Sequence, residues 1–113
     1  MAYEPAYEQF AVVGRDARRR AVEFKKAGFL AVGDQPELYF FSVDGEEVVV
    51  GLSGAALREL QRRWRYLARE EKIDLAGLFL KRQIEAGKPL VAENLYIREQ
   101  ELEGLVSALG LRP

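Results

Sequence analysis

The dipeptide Asp44-Gly45 stands between two runs of β-prone residues and constrains the fold of this chain more than any other feature. Two-residue loops between antiparallel strands need positive φ at both positions, which Asp and Gly tolerate better than most residues. Counting outward from the turn pairs Phe41 with Val48. The sequence therefore predicts a central hairpin over residues 37–52, with alternate side chains on opposite faces.

One face of this hairpin carries enough large apolar side chains to form the core side of a sheet. They are Tyr39, Phe41, Val43, Val48 and Val50. The opposite face is also apolar at Phe40 and Val49. We therefore expect the hairpin to be covered on both sides, at least in part.

Four segments are predicted as helices, because their apolar residues recur at three- and four-residue spacing. They cover residues 15–27, 54–71, 75–86 and 99–109. Ser53 and Asp74 stand at positions suited to N-caps, and Gly28 and Gly87 stand where helices commonly end.

Together with strand-like runs at residues 29–32 and 95–97, these segments predict an α+β fold. We expect one mainly antiparallel sheet of three to four strands, with three to four helices packed largely on one face. A chain of 113 residues is long enough to form a single domain over residues 1–113. Residues 1–14 are ambiguous between helix and strand.

The sequence contains neither histidine nor cysteine, which excludes several common chemistries. These residues supply the usual near-neutral base, the strongest neutral-pH nucleophile and the usual ligands of zinc and iron–sulfur sites. The run Gly51-Leu52-Ser53-Gly54-Ala55 differs from a nucleophile elbow in its last position and has no histidine to serve as its base. We expect a non-enzymatic protein with no catalytic residue, no cofactor and no metal site.

The beginning of the sequence has neither the basic nor the apolar region of a secretory signal. No uncharged stretch approaches the ~20 residues of a membrane-spanning helix. A cytoplasmic protein is the default expectation. Arginine supplies twelve of the seventeen basic residues, a bias that fits a heat-tolerant source.

The sharpest basic pattern lies on the predicted helix 54–71, where four arginines are spaced four, three and four residues apart. They are Arg58, Arg62, Arg65 and Arg69. On one continuous helix they would form a stripe facing away from Trp64. Such a stripe could contact nucleic-acid phosphates or another anion, whereas most charge runs on helices are only solvated faces.

The run Val48-Val49-Val50-Gly51-Leu52-Ser53, followed by two helices, resembles a ribbon-helix-helix DNA-binding unit over about 40 residues. The resemblance implies that one strand from each of two subunits forms a ribbon that enters the major groove of DNA. Glu46 and Glu47 depart from this pattern, because they would set carboxylates against phosphates. The alternative functional hypothesis is thus a nucleic-acid-binding regulator that uses the arginine stripe.

The predicted helix 75–86 is apolar around most of its circumference. The residues concerned are Leu75, Leu78, Phe79, Leu80 and Ile84. Two explanations are open from sequence, a central helix in a small core or an interface between copies of the chain. Because monomers rarely leave such a surface exposed, we predict a homodimer or higher oligomer. The leading functional hypothesis is a homo-oligomeric protein interaction module. Its partners would be further copies of the chain or another protein, and it would not bind a membrane.

Overall fold

The computed structural model of the chain describes residues 5–111 and has an α+β fold. Its strands are β1 (Gln9–Val13), β2 (Arg19–Phe29), β3 (Glu37–Val43), β4 (Glu46–Leu52) and β5 (Tyr96–Ile97). Its helices are α1 (Gly54–Arg63), α2 (Arg69–Glu85) and α3 (Glu99–Leu109), with a 3-10 turn at Ala92–Asn94.

The strands form one curled sheet in the order β1-β2-β3-β4-β5. The first four strands pair antiparallel, and β5 pairs parallel with β4. The α+β class is confirmed. The strand number is corrected to five within the described residues, because the segments before and after Gly14 both join the sheet.

The hairpin of β3 and β4 forms as predicted. Asp44 has φ 52° and Gly45 has φ 87°, and Phe41 pairs with Val48. The five core-face side chains are buried and belong to the same apolar cluster as the residues of α2. On the opposite face, Phe40 and Val49 are only half-buried and lie outside that cluster.

The predicted helix over residues 15–27 is wrong, because this segment forms a turn and most of β2. Val22 and Phe24 are buried while Glu23 and Lys25 are exposed, so the segment also has the two-residue period of a strand. Neighbours β1 and β3 hydrogen-bond to β2 from its two sides, and this pairing outweighs the local helical spacing. Gly28 therefore lies inside a strand and caps no helix.

The boundary predicted between the second and third helices is also wrong. Helix α1 begins as expected, with the Ser53 hydroxyl accepting the N–H of Ala56 at 3.0 Å. It ends at Arg63, however, and α2 begins at Arg69. The start of α2 is fixed by Glu71, whose carboxylate accepts the N–H of Ala68 at 2.8 Å.

Helix α2 lies at the centre of the core. Residues 73–80 are all buried, and the helix contacts β1, β4 and α3. Asp74, predicted as an N-cap, is instead a fully buried residue inside α2. Its carboxylate accepts the N–H groups of Ala6 and Tyr7 at 3.1 and 2.8 Å. These bonds attach the segment before β1 to the central helix.

The C-terminal part follows the sequence prediction closely. Helix α3 has the predicted bounds, and Leu102, Leu105 and Val106 are buried. Gly110, with φ 64°, ends it in the left-handed conformation. Strand β5 falls inside the predicted run 95–97. No helix among residues 5–111 is both long enough and apolar enough to cross a membrane.

Gly77 tests the packing of the N-terminal segment on α2. A Cβ at Gly77 would lie 2.6 Å from Tyr7 Cβ and 2.8 Å from the Tyr7 carbonyl oxygen. We expect Gly77→Ala to lower the free energy of unfolding by about 1–3 kcal/mol, although alanine favours helix. The matched control is Gly104→Ala in α3, where the nearest atom is an Arg82 nitrogen at 3.9 Å.

The control substitution should raise the free energy of unfolding by about 0.5–1 kcal/mol, because only helix propensity changes. Urea denaturation of both variants measures the difference. A similar gain in stability from both substitutions would contradict the contact between Tyr7 and α2.

Candidate interaction surfaces

The four arginines of the predicted stripe do not lie on one helix. Arg58 and Arg62 are on α1, Arg65 is in the connection that follows, and Arg69 is the first residue of α2. A continuous stripe would need helix 54–71 to be unbroken, and the helix ends at Arg63. The stripe as predicted therefore does not form.

The two arginines on α1 remain at the surface. Arg58 Nη2 lies 3.3 Å from Asp34 Oδ1, and Arg62 Nη2 lies 2.7 Å from Glu59 Oε1. The hydrogen bond from Arg62 lowers the pKa of Glu59. Because the arginine side chains are 68% and 71% exposed, both ion pairs are weak and screened by salt. Contact of these arginines with nucleic acid stays a prediction.

Arg65 has a structural role at the start of α2. Its Nη1 and Nη2 atoms donate to the two carboxylate oxygens of Glu71 at 2.8 and 2.6 Å. These hydrogen bonds lower the pKa of Glu71 and raise the pKa of Arg65. Arg69 packs instead on an aromatic ring, with its guanidinium carbon 5.4 Å from the centre of Phe24.

The five apolar residues predicted for an oligomer interface lie inside the core of the single chain. Leu75, Leu78, Phe79, Leu80 and Ile84 are each at most 6% exposed. The central-helix explanation therefore accounts for the apolar circumference of α2. In this fold, these residues present no surface to a second copy, and the predicted association requires another part of the chain.

The ribbon-helix-helix arrangement is wrong for this chain. Strand β4 pairs with β3 along its whole length and with β5 at Gly51 and Leu52, so within the described residues the segment 46–50 has β3 as its single strand neighbour. It has no free edge over Gly51 and Leu52, where β5 is its second neighbour. The strand of a ribbon-helix-helix unit pairs with its copy in the second subunit, whereas β4 is the second strand of a hairpin within its own chain, so the resemblance does not extend to the fold.

A cluster of titratable side chains joins β3 to α2. The Tyr39 hydroxyl donates to Glu37 Oε1 at 2.6 Å, and Lys72 Nζ lies 2.9 Å from the same oxygen. Burial of Tyr39, together with the adjacent Glu37 carboxylate, raises the pKa of its phenol, which stays protonated. The three groups serve one another as partners, so the cluster acts as a structural contact.

Asp34 attaches the loop between β2 and β3 to α1 and β5. Its carboxylate accepts the N–H of Ala55 at 3.2 Å and the hydroxyl of Tyr96 at 3.3 Å, besides pairing with Arg58. The Ala55 N–H makes the largest contribution to lowering the pKa of Asp34, and Arg58 and Tyr96 add to it. The loop is therefore held through one carboxylate by three partners, the Ala55 N–H, the Arg58 guanidinium and the Tyr96 hydroxyl.

The exposed apolar side chains are concentrated at the end of β2. Phe29, Leu30 and Val32 are 62%, 45% and 64% exposed, and Ala31 between them is exposed as well. Strand β1 pairs with residues 19–23 of β2, so among the residues that the structure describes, β3 is the single strand neighbour of residues 25–29. We call residues 25–32 the β2 tip.

The sequence prediction missed the β2 tip as a candidate interaction surface. The sequence predicts a short strand over residues 29–32, whereas only Phe29 belongs to one. A short apolar run is equally consistent with a buried strand. The exposure depends on how the rest of the chain packs, and no local signal in residues 29–32 reports that.

Comparison of the chain with protein-family models, with curated proteins and with solved structures finds no match. The argument for function therefore depends on the residues described above.

Glu71→Gln tests the role assigned to Arg65. The folded-state pKa of Glu71 is lowered from the ordinary value of 4.5, so its carboxylate stabilises the fold above that pH. This contribution is lost as pH falls through the lowered pKa. We expect the substitution to reduce the free energy of unfolding at pH 7 by about 1–3 kcal/mol, and to reduce it less at about pH 3.

Glu59→Gln is the matched control, because Glu59 pairs with the exposed Arg62 on α1. Its effect on stability at pH 7 should be much smaller. Urea denaturation at the two pH values measures both variants. Equal losses for the two variants, or a loss for Glu71→Gln that does not change with pH, would contradict the role of the Arg65–Glu71 pair.

Proposed function

We propose that this chain is a non-enzymatic protein interaction module that assembles with further copies of itself through the β2 tip. The observation that carries the proposal is the exposed run Phe29-Leu30-Ala31-Val32. Single apolar side chains are common on protein surfaces and need no explanation. Four consecutive exposed apolar residues are unusual unless they have a partner.

Backbone hydrogen bonds hold the β2 tip in one conformation. The N–H of Leu30 donates to the carbonyl of Pro36 at 3.0 Å, and the N–H of Gln35 donates to the carbonyl of Val32 at 3.0 Å. Asp34 attaches the same loop to α1. An apolar surface that is already ordered loses little conformational entropy when it binds, which favours association.

The backbone of residues 25–29 offers a second contribution to binding. An unpaired strand edge presents N–H and C=O groups on which another strand can add. Antiparallel pairing of two copies about Ala27 sets Lys25 opposite Phe29, and Lys26 opposite Gly28, of the second copy. No lysine then faces a lysine, and an ammonium group beside an aromatic ring is favourable.

This self-complementarity favours a second copy over an unrelated partner. In a two-fold contact the same surface is used by both subunits, so the contact closes as a dimer. In this register residues 30–32 of each copy lie beyond the paired segment and face the β1 strand of the other copy, and contact there would reduce their exposure to water. Burial of these side chains supplies most of the favourable free energy.

Val32→Ser and Val91→Ser form a matched pair that tests the proposal. Both valines are exposed, at 64% and 49%, and only Val32 belongs to the β2 tip. We expect light scattering of the unsubstituted protein to give about twice 12.8 kDa at high concentration. Val32→Ser should raise the dissociation constant of the dimer by about tenfold, because each subunit loses buried apolar area.

Val91→Ser should leave the dissociation constant unchanged, and Phe29→Ser should have a larger effect than Val32→Ser. Circular dichroism checks that each variant is folded. A mass that stays near 12.8 kDa at every concentration would refute self-association. Equal effects of the two valine substitutions would show that the β2 tip is not the contact.

A further inference from the structure

A cavity of about 520 Å³ lies where the turn between β1 and β2 meets the segment that follows α2. Its charged lining residues are Arg15, Asp16, Arg20 and Lys88, and one wall is apolar. A cavity of this size accommodates a small organic molecule. None of its lining residues belongs to the β2 tip, so what it binds is independent of self-association.

The only carboxylate among these lining residues is already engaged. Asp16 accepts the N–H of Arg18 at 3.0 Å and a hydrogen bond from Arg20 Nη2 at 3.3 Å. Arg20 also lies 3.6 Å from a carboxylate oxygen of Asp44. In the described part of the chain, Arg15 and Lys88 have no carboxylate within ion-pair distance. Two cations at this cavity therefore have no counter-charge among residues 5–111.

The side chains of Arg15 and Lys88 are not needed as hydrogen-bond donors to the carbonyl groups at the end of α2. The N–H groups of Gly87 and Lys88 donate to the carbonyls of Ile84 and Gln83 at 3.0 and 3.1 Å. Arg15 is held by packing on Gly87, which has φ 71°. A Cβ on Gly87 would lie 3.2 Å from Arg15 Cβ. The fold thus keeps two like charges beside one cavity, where an anion between them would lower their repulsion.

We infer that this cavity binds a phosphate monoester, with Arg15 and Lys88 contacting the phosphate group. Three cations and one carboxylate leave two positive charges, which match the nearly dianionic phosphate of a monoester at neutral pH. The guanidinium of Arg15 offers paired donors and Lys88 offers a point charge, both common in phosphate binding.

The apolar wall of the cavity indicates that the ligand also carries an apolar group. Ile84, Pro89 and Leu90 line the cavity beside the cations. Inorganic phosphate has no group to place against them, whereas the organic part of an ester does. The site therefore favours an ester with an apolar or aromatic group over inorganic phosphate.

Phenyl phosphate is the probe that tests this site, titrated into the full ¹⁵N-labelled chain and followed by NMR. We expect saturable shifts of backbone amides in residues 14–20 and 84–90. Arg15→Gln and Lys88→Gln should each weaken binding about tenfold, the effect of losing one charge-assisted hydrogen bond. Arg98→Gln removes a positive charge outside the cavity and should change affinity by less than about twofold.

Inorganic phosphate should bind more weakly than phenyl phosphate. Because Arg15→Gln could disturb packing on Gly87, the Lys88→Gln variant provides an independent test. Unchanged affinity in Lys88→Gln, or equal weakening in Arg98→Gln, would overturn the assignment. So would displacement of phenyl phosphate by a lower concentration of an oligonucleotide without terminal phosphate, since that would assign the cations to nucleic acid.

Discussion

The burial of helix α2 is the constraint on which the rest of the structure depends. Residues 73–80 are buried on every side, so the sheet, α3 and the segment before β1 all pack around one helix. Asp74 binds the backbone of that segment, and Gly77 leaves the space in which Tyr7 lies. Since this packing consumes the apolar circumference of α2, residues 73–80 are not available to a partner.

The sequence predicted the fold correctly where a local signal determines the structure. Asp44-Gly45 fixes its hairpin through positive φ, and Ser53 and Gly87 mark a helix start and a helix end. Prediction failed where contacts with strands or helices distant in sequence determine the conformation of a segment. Residues 15–27 combine helical spacing with strand alternation, and only pairing with β1 and β3 selects the strand. The sequence does not predict the start of α2, because the N-cap residue is Ala68, which has no polar side chain. The cap is made by Glu71 inside the helix, whose carboxylate accepts the Ala68 N–H.

The candidate surfaces were less predictable than the fold, for the same physical reason. The arginine stripe assumed one unbroken helix, and the end of α1 at Arg63 separates its members. The run at residues 29–32 has the composition of a buried strand, yet it lies beyond the part of β2 that pairs with β1 and its side chains are exposed. Arg15 and Lys88 are distant in sequence, and the packing of a turn against the end of α2 brings them to one cavity.

In this structure α2 forms the core of a single chain, and in our proposal copies of the chain meet through the β2 tip. Amide hydrogen exchange of the full chain at two protein concentrations tests this arrangement most directly. Amides of residues 73–80 should exchange slowly and at the same rate at both concentrations, because their protection comes from the fold itself. Amides of residues 25–32 should become more protected at the higher concentration. Concentration-dependent protection of residues 73–80, with none in residues 25–32, would show that α2 forms the interface and would contradict this structure of the core.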